Sequence, residues 1–320
     1  MMMKAKNIGF LIFFLLCANG LLGQQEQLYT QFMFNKLVLN PAYAGNEEVT
    51  CASALYRDQW TGFDGAPTTQ LFSINAPLAG QKVGIGFNLA RNTIGITEKL
   101  TLDAIYAYRL KLGSGTFSMG VQASLRRFDQ DFTDPRLIAI QGLEQDQAVQ
   151  LEVLSKNVIN FGFGAYYSTN LYYVGASIPR LSKADIDFDQ DDIFSSEVRH
   201  FYLMGGAAFA VNEDWTVKPQ ALIKVVENAP FDADLNVLAT YKEKYHGGLT
   251  YRTGGNSGGF GESLDVIFGF QLNPQLMLGF AYDYTLSDLR TYNNGSIELM
   301  LHYCFNKRNN QEEIINPRYF

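Results

Sequence analysis

The side chains best suited to chemistry in this sequence are three histidines, and their sequence neighbours do not complete a site. His200, His246 and His302 fall on different predicted strands, with no cysteine or carboxylate at the spacing of a metal-binding motif. No histidine has a serine two residues away, as the Ser/His pair of an outer-membrane phospholipase would need. We therefore interpret the histidines as isolated residues in the wall of a β-barrel. We predict no catalytic, cofactor-binding or metal-binding residue, and no enzyme.

An acidic run offers a second candidate chemistry, calcium binding. It comprises Asp185, Asp187, Asp189, Asp191 and Asp192. An EF-hand loop that began at the first or second of these would have Gln190 or Asp192 in place of its glycine, and no glutamate closes either loop at position twelve. The prediction is a solvated, exposed loop, with weak Ca²⁺ binding as the alternative.

The elements that position these side chains are short strands with alternating faces. In the segment 116–126, Phe117, Met119 and Val121 share one face while Ser118 and Gln122 share the other. The same pattern recurs in fourteen segments of the sequence. The predicted strands are 48–60, 68–78, 82–91, 98–112, 115–128, 158–169, 171–179, 199–212, 215–226, 232–242, 244–252, 262–272, 274–286 and 296–305.

The connections between these strands alternate between tight turns and mostly longer loops. The two longest loops, 129–157 and 180–198, fall on the same side of the predicted sheet. An even number of strands with this alternation is typical of an outer-membrane β-barrel, in which every backbone polar group must be paired because lipid offers no partner. A soluble β-sandwich is the alternative, but it explains neither the loop alternation nor the aromatic residues near strand ends. We predict an all-β fold, a 14-stranded antiparallel outer-membrane β-barrel with an N-terminal plug segment.

Both ends of the chain differ from this pattern. Lys4 and Lys6, followed by an apolar stretch at 8–16, predict a secretory signal cleaved before Gln24 or, as second choice, after Gly20; the leucine before Cys17 argues against a lipoprotein. The predicted organisation is a signal peptide at 1–23, a plug or entry segment at 24–47, a barrel at 48–305 and a periplasmic tail at 306–320. The tail ends in aromatic residues and carries basic ones, and we predict that it contacts a periplasmic partner, with a disordered remnant as the alternative.

Closure of the predicted barrel indicates where three residues and one segment lie. Arg57 lies in the element Arg57-Asp58-Gln59-Trp60 and is predicted to face the lumen, because an arginine facing lipid is costly; there it would pair with the plug. Residues 27–45, apolar and without regular period, are predicted to fill the lumen. If the first and last strands pair, Cys51 and Cys304 should lie at similar height on the lumenal side of the seam, bonded or not.

Several stretches resemble the PorP/SprF family of type IX secretion system membrane proteins. They are LYTQFMFNKLVLNPAYAG, YRDQWTGFDGAPTTQLFSINAPL, the strand at 82–86, the turn at 92–95 and the segment 104–110. The resemblance runs from about Gln27 through the final strand. It implies an outer-membrane barrel that anchors or adapts periplasmic type IX secretion ring or lipoprotein components, or the C-terminal domains of secreted adhesins or cargo, in protein secretion and gliding motility.

The alternative function is a plugged outer-membrane channel for hydrophobic or small solutes. Outer-membrane lipid is an expected partner in either case. The net charge of −7 and the absence of a basic stripe argue against nucleic acid.

Overall fold

In the computed structural model the chain folds into a single closed antiparallel β-barrel. The structure describes residues 26–47, 49–135, 137, 152–185, 196–226, 232–254 and 261–305. Fourteen barrel strands are present in these ranges, as predicted. They are β1 (Cys51–Asp58), β2 (Thr68–Leu78), β3 (Val83–Ile94), β4 (Thr97–Leu112), β5 (Gly115–Asp131), β6 (Val153–Ser168), β7 (Tyr172–Ile178), β8 (His200–Ala207, resuming at Phe209–Ala210), β9 (Trp215–Val226), β10 (Asp232–Tyr241), β11 (Tyr245–Arg252), β12 (Ser263–Gln271), β13 (Leu276–Thr285) and β14 (Ser296–Cys304).

The first and last strands close the ring. Each strand pairs with its sequence neighbour, and β1 pairs with β14 over a register that runs from Cys51 opposite Cys304 to Asp58 opposite Ile297. No strand edge is therefore left unpaired at the seam. A β-sheet can span a lipid bilayer only when its edges are paired in this way. Among the described residues no helix is both long and apolar enough to span a membrane.

The two faces of the wall differ as the alternation predicted. In β5, Met119, Val121 and Leu125 are exposed on the outer face, whereas Gln122 and Arg126 are buried inside. The outer face of β12 is similar, with Val266 and Phe268 each about half exposed. A continuous apolar exterior of this size is too costly in water and is satisfied by the acyl chains of a bilayer.

The connections define two ends of the barrel. Short turns at 79–82, 113–114, 169–171, 211–214, 242–244 and 272–275 mark one end, which we call the short-turn end. The other, long-loop end carries the connections 132–152 and 179–199. A small sheet pairs Ala184–Asp185 with Ser196–Glu197 in the second of these.

Two of the differences from the predicted strand bounds have a clear structural reason. β6 begins at Val153 rather than 158, because its first residues extend the ladder with β5, pairing Val153 with Asp131. The connection between β3 and β4 is a tight turn although it lies at the long-loop end. Gly95 takes a positive φ of 55° there, a conformation that glycine adopts without steric cost.

An aromatic row lies on the outer face near the short-turn end. Trp215, Tyr241, Tyr245 and Phe270 come from four adjacent strands, and successive ring centroids are 4.8, 6.4 and 5.3 Å apart. Lys244 lies over the last two of these rings. Amphipathic rings with a cation beside them are typical of the interface between the hydrocarbon and the headgroups.

Candidate functional site

The N-terminal segment, residues 26–47, contacts the inner face of the barrel along its whole length. It contains three single turns of 3₁₀-helix, Phe32–Phe34, Lys36–Val38 and Pro41–Tyr43. Asn40 caps the last turn, where its Oδ1 accepts a hydrogen bond of 2.9 Å from Ala42 N. Short turns replace a longer helix because a proline enters at the third turn and the apolar residues keep no helical period.

The two ends of the segment lie at opposite ends of the barrel. Gly45 N donates to Asn75 Oδ1 at 2.5 Å near the short-turn end, where Arg109 also donates to the Gly45 carbonyl. Glu26 instead contacts Arg126 near the end of β5, at the long-loop end. The segment thus crosses from the long-loop end to the short-turn end, and the chain then enters β1.

Apolar side chains of the segment pack on inward-facing residues from several strands. Phe32 and Leu37 are each 1% exposed, and Ala42 and Ala44 are fully buried. Their cluster includes wall residues from both halves of the ring. These wall residues are Leu55, Leu71, Ile105, Tyr166, Met204, Leu222, Leu238, Ile267 and Met300. The barrel therefore encloses an apolar core in which the segment is the central component.

Glycines in the wall let the backbone of the segment approach closely. A Cβ atom added at Gly84 would lie 1.9 Å from the Ala44 carbonyl oxygen, and one at Gly120 would lie 2.3 Å from Ala42 N. At Gly164 it would meet the Asn40 side chain at 2.1 Å. Asn40 Nδ2 in turn donates to the Ala165 carbonyl of β6 at 3.1 Å. The wall is thus shaped for the backbone of this segment.

A buried ionic cluster holds the segment near the long-loop end. Arg57 Nη2 lies 2.6 Å from Asp283 Oδ2, and Nη1 lies 3.3 Å from Glu298 Oε2. Arg57 Nη1 also donates to Thr30 Oγ1 at 2.8 Å. The Glu298 carboxylate accepts from the backbone N–H groups of Thr30 and Gln31 at 3.0 and 2.8 Å. This confirms that Arg57 points inward and contacts the N-terminal segment.

The cluster continues around the wall through a second arginine. Arg252 Nε lies 2.8 Å from Asp234 Oδ1, and its Nη1 lies 3.4 Å from Asp283 Oδ2. Asp234 is shared with Lys224 at 3.0 Å. Arg57, Arg252, Asp234 and Asp283 have side chains at most 3% exposed. Charges as deeply buried as these persist only when they are paired and hydrogen-bonded, so the network fixes the geometry of its members.

Of this cluster only Arg57 was singled out from the sequence. The other members occupy inward positions of β9 to β14, where each charge alternates with apolar residues of the lipid face. That alternation is the sequence signal that could have found them, although it does not tell which charges meet.

A second ionic group surrounds the start of the segment. Glu26 lies 3.1 Å from Arg126, 3.2 Å from Arg180 and 3.6 Å from Lys99. Burial alone would raise the pKa of Glu26, but the cations Arg180, Lys99 and Arg126 outweigh it and hold the pKa well below its usual value. Glu26 is therefore ionised at neutral pH.

Lys36 lies among aromatic rings in the middle of the segment. Its Nζ donates to the Met33 carbonyl at 2.8 Å and lies 4.8 Å from the ring centre of Tyr173 and 5.5 Å from that of Tyr43. Burial, with repulsion from Lys218, lowers the pKa of Lys36 to about 7. The ring faces offset part of the cost of burying this charge.

The seam at the short-turn end brings together residues that the sequence separates. Cys51 and Cys304 form a disulfide with Cα atoms 4.0 Å apart, which confirms the predicted closure register. His302 Nε2 lies 3.2 Å from Cys304 Sγ and 3.5 Å from Glu47 Oε2. The interpretation of His302 as isolated is therefore wrong, because strand pairing and the end of the segment supply neighbours that sequence spacing does not reveal.

The other two histidines also contact the N-terminal segment. His200 Nε2 accepts from Glu26 N at 3.4 Å, and the ring of His246 packs edge-on against Phe34 at 5.8 Å. Within the described ranges, neither histidine belongs to a group of potential metal ligands. Asp187 to Asp192 of the acidic run, the predicted signal peptide and the tail 306–320 lie outside the described residues.

Comparisons with known proteins give a family and a fold. The family model described as type IX secretion system membrane protein PorP/SprF matches residues 21–303. No curated protein matches the sequence.

Solved structures resemble the barrel. The CymD monoaromatic hydrocarbon channel is 12% identical, over 89% of this chain and 95% of that chain, with a TM-score of 0.51. A FadL homologue of Pseudomonas aeruginosa is 12% identical, over 83% and 93% of the two chains, with a TM-score of 0.47. At this identity the likeness to CymD shows a shared fold alone.

Proposed function

Because the chain belongs to the PorP/SprF family of type IX secretion system membrane proteins, we propose that it is an outer-membrane barrel that anchors or adapts other components of that system. Its partners would be periplasmic ring or lipoprotein subunits, or the C-terminal domains of secreted adhesins or cargo. In this proposal the signal peptide is removed and the N-terminal segment acts as a plug. The short-turn end faces the periplasm, as in bacterial barrels with short periplasmic turns.

The observation that carries an anchoring role is the way the interior is filled. Residues 28–33 and 39–45 are buried, and Thr30 and Gln31 are held by a carboxylate that is itself fully buried. A lumen that contains a tightly packed segment supports a rigid platform better than an open pore. Binding surfaces are then expected at the ends of the barrel.

The tail 306–320 is the proposed contact with a periplasmic partner. It follows Cys304 at the short-turn end and carries Lys307, Arg308 and Arg318 with a terminal Tyr319-Phe320. Arginine and aromatic side chains are enriched in protein interfaces. A chain truncated before Lys307 should lose the periplasmic proteins that co-purify with the full chain from detergent-solubilised envelopes, measured by quantitative mass spectrometry.

The matched control is a chain in which Lys242 and Lys244, of another turn at the short-turn end, are changed to alanine. It should keep the partners, because those cations lie over rings of the aromatic row. Heat-modifiable migration checks that each variant is folded. Retained co-purification by a folded truncated chain would contradict the role of the tail.

A channel for hydrophobic or small solutes is the second candidate function. A narrow cleft beside the start of the segment, between Tyr29, Leu39, Arg180 and Tyr202, is the feature that could admit a solute. Its free volume is about 20 Å³, room for a water molecule, so a solute would have to widen it. Uptake of a hydrophobic solute by vesicles that contain the full chain would favour this function.

Deletion of residues 27–45 tests the plug under either function. The deletion removes the apolar core and leaves the charges of the ionic cluster facing an open lumen, which water would enter. The full chain is expected to be closed in planar bilayers, and the folded deletion variant should conduct ions. Unchanged conductance of a folded deletion variant would rule the plug out.

A further inference from the structure

The seam at the short-turn end brings four metal-ligating side chains together. Four ligand atoms lie within 4.8 Å of one another, one each from Glu47, Cys51, His302 and Cys304. We propose that these residues bind one divalent cation of the Zn²⁺ class when the disulfide is reduced. Two thiolates, an imidazole and a carboxylate form a ligand set that suits zinc and other thiophilic metals.

The distances already match three edges of a zinc tetrahedron. Zinc bonds are about 2.3 Å to sulfur and about 2.0–2.1 Å to nitrogen and oxygen. In a tetrahedral site these bond lengths place a sulfur and a nitrogen or oxygen ligand, or a nitrogen and an oxygen ligand, about 3.4–3.6 Å apart. Cys304 Sγ lies 3.2 Å from His302 Nε2 and 3.6 Å from Glu47 Oε2, and the latter two atoms are 3.5 Å apart. To complete the tetrahedron the two sulfur atoms must separate to about 3.8 Å, and Cys51 Sγ starts within 4.8 Å of the other two ligand atoms.

Ser53 supplies the orientation that a ligating histidine needs. Its Oγ lies 2.8 Å from His302 Nδ1. When Nδ1–H donates to this hydroxyl, the lone pair of Nε2 points toward Cys304 and Glu47. Metal-ligating histidines almost always have such an outer partner, which fixes the tautomer and the orientation of the ring.

The scaffold holds the site independently of the disulfide. The ladder between β1 and β14 continues past the cysteines, pairing Ser53 with His302 and Arg57 with Glu298. The His302 and Glu47 side chains are 17% and 20% exposed, so an ion from solution can reach them. Glu47 is the last residue of the N-terminal segment, so a bound cation would tie the end of that segment to the seam.

Reduction and metal binding are separate, balanced steps. A dithiol reductant transfers two electrons and two protons to the Cys51–Cys304 bond, which breaks into two thiols while the reductant becomes a cyclic disulfide. Each thiol then loses its proton to solvent as its sulfur bonds to the cation. The disulfide and the metal site therefore exclude each other. The seam is linked either by the disulfide or by the bound cation.

The test uses the full barrel in detergent micelles, in oxidised form and after treatment with dithiothreitol followed by anaerobic desalting. Heat-modifiable migration verifies folding, and zinc is measured per chain after equilibration with Zn²⁺ and desalting. The reduced barrel should retain one equivalent of zinc and the oxidised barrel none. With Co²⁺ as the probe, only the reduced barrel should show thiolate-to-cobalt charge-transfer absorption.

Four variants separate this site from general metal binding. His302→Ala should abolish the equivalent of zinc, whereas His246→Ala, which changes an inward histidine of another strand, should retain it. Ser53→Ala keeps all four ligands and should weaken zinc binding by about 10–100-fold. A folded reduced barrel without zinc would overturn the proposal, as would equal zinc in the oxidised barrel or in the double variant Cys51→Ser/Cys304→Ser. Unfolding on reduction would also count against it, because the site requires an intact seam.

Discussion

Arg57 shows how one buried side chain joins the wall to the N-terminal segment. Its guanidinium contacts carboxylates of β13 and β14 and the hydroxyl of Thr30, and the residue is only 2% exposed. Taking a guanidinium out of water costs several kcal/mol, which the two carboxylates and the hydrogen bonds must offset. The arrangement is therefore sensitive to loss of a single partner.

Replacing this arginine should destabilise the barrel strongly. Arg57→Met keeps the apolar stem but leaves Asp283 and Glu298 with less compensating charge, and we expect a loss of about 3–5 kcal/mol in the free energy of unfolding. The midpoint of urea unfolding measures it. Arg91→Met is the matched control, because Arg91 and Glu98 pair at 2.6 Å with side chains 46% and 39% exposed. An exposed pair contributes about 0–1 kcal/mol. Equal losses in the two variants would contradict a special role for the buried cluster.

At the level of the strands, wall glycines position the N-terminal segment. They lie in β3, β5, β6 and β7. Gly84, Gly120, Gly164 and Gly175 each have segment atoms within 3 Å of where a Cβ would be. Side chains at these positions would push the 3₁₀ turns away from the wall. The strands thus provide a groove for the backbone of the segment.

Filling this groove should displace the segment without opening the barrel. In Gly84→Ala the added Cβ would lie 1.9 Å from the Ala44 oxygen, so the backbone must shift. We expect a loss of about 1–3 kcal/mol in stability, as for overpacked cores, and faster proteolysis within residues 26–47. Gly247→Ala is the control, since a Cβ there meets no atom within 4 Å. If both variants resist proteolysis like the parent, the close approach is unimportant for seating the segment.

At the scale of the whole molecule, one covalent bond links the first and last strands of the barrel. Cys51 and Cys304 are separated by 253 residues, and their strands pair at the seam. A cross-link between such distant residues restricts the unfolded chain far more than the folded one, for which strand pairing already fixes the ends. The bond therefore acts mainly on the unfolded state.

Reduction should lower the stability of the barrel but leave its fold intact. The expected loss is at most about 5–6 kcal/mol for a loop of this length, seen as a lower urea midpoint in dithiothreitol with chelator present. In the double variant Cys51→Ala/Cys304→Ala the reductant should have no effect. A midpoint of the parent that does not change on reduction would show that the disulfide adds nothing to closure.

The strands, the two faces of the wall and the closure of the ring were predictable from the sequence. Side-chain alternation is a property of neighbouring residues in one strand, so it could be read without knowing any partner. Because an arginine that faces lipid is costly, Arg57 was predicted to face the lumen. The even strand count then placed Cys51 opposite Cys304, and the structure has them paired and bonded.

Only the tertiary structure decided which inward groups meet. Arg57 finds Asp283, Glu298 and Thr30 because register and barrel curvature bring three strands and the N-terminal segment together. His302 gains Glu47 as a neighbour for the same reason. Apart from that between Arg57 and Thr30, these contacts join residues more than 200 positions apart. They depend on the accumulated register of many strands and on the path of a segment without period. Alternation within one strand carries no information about either.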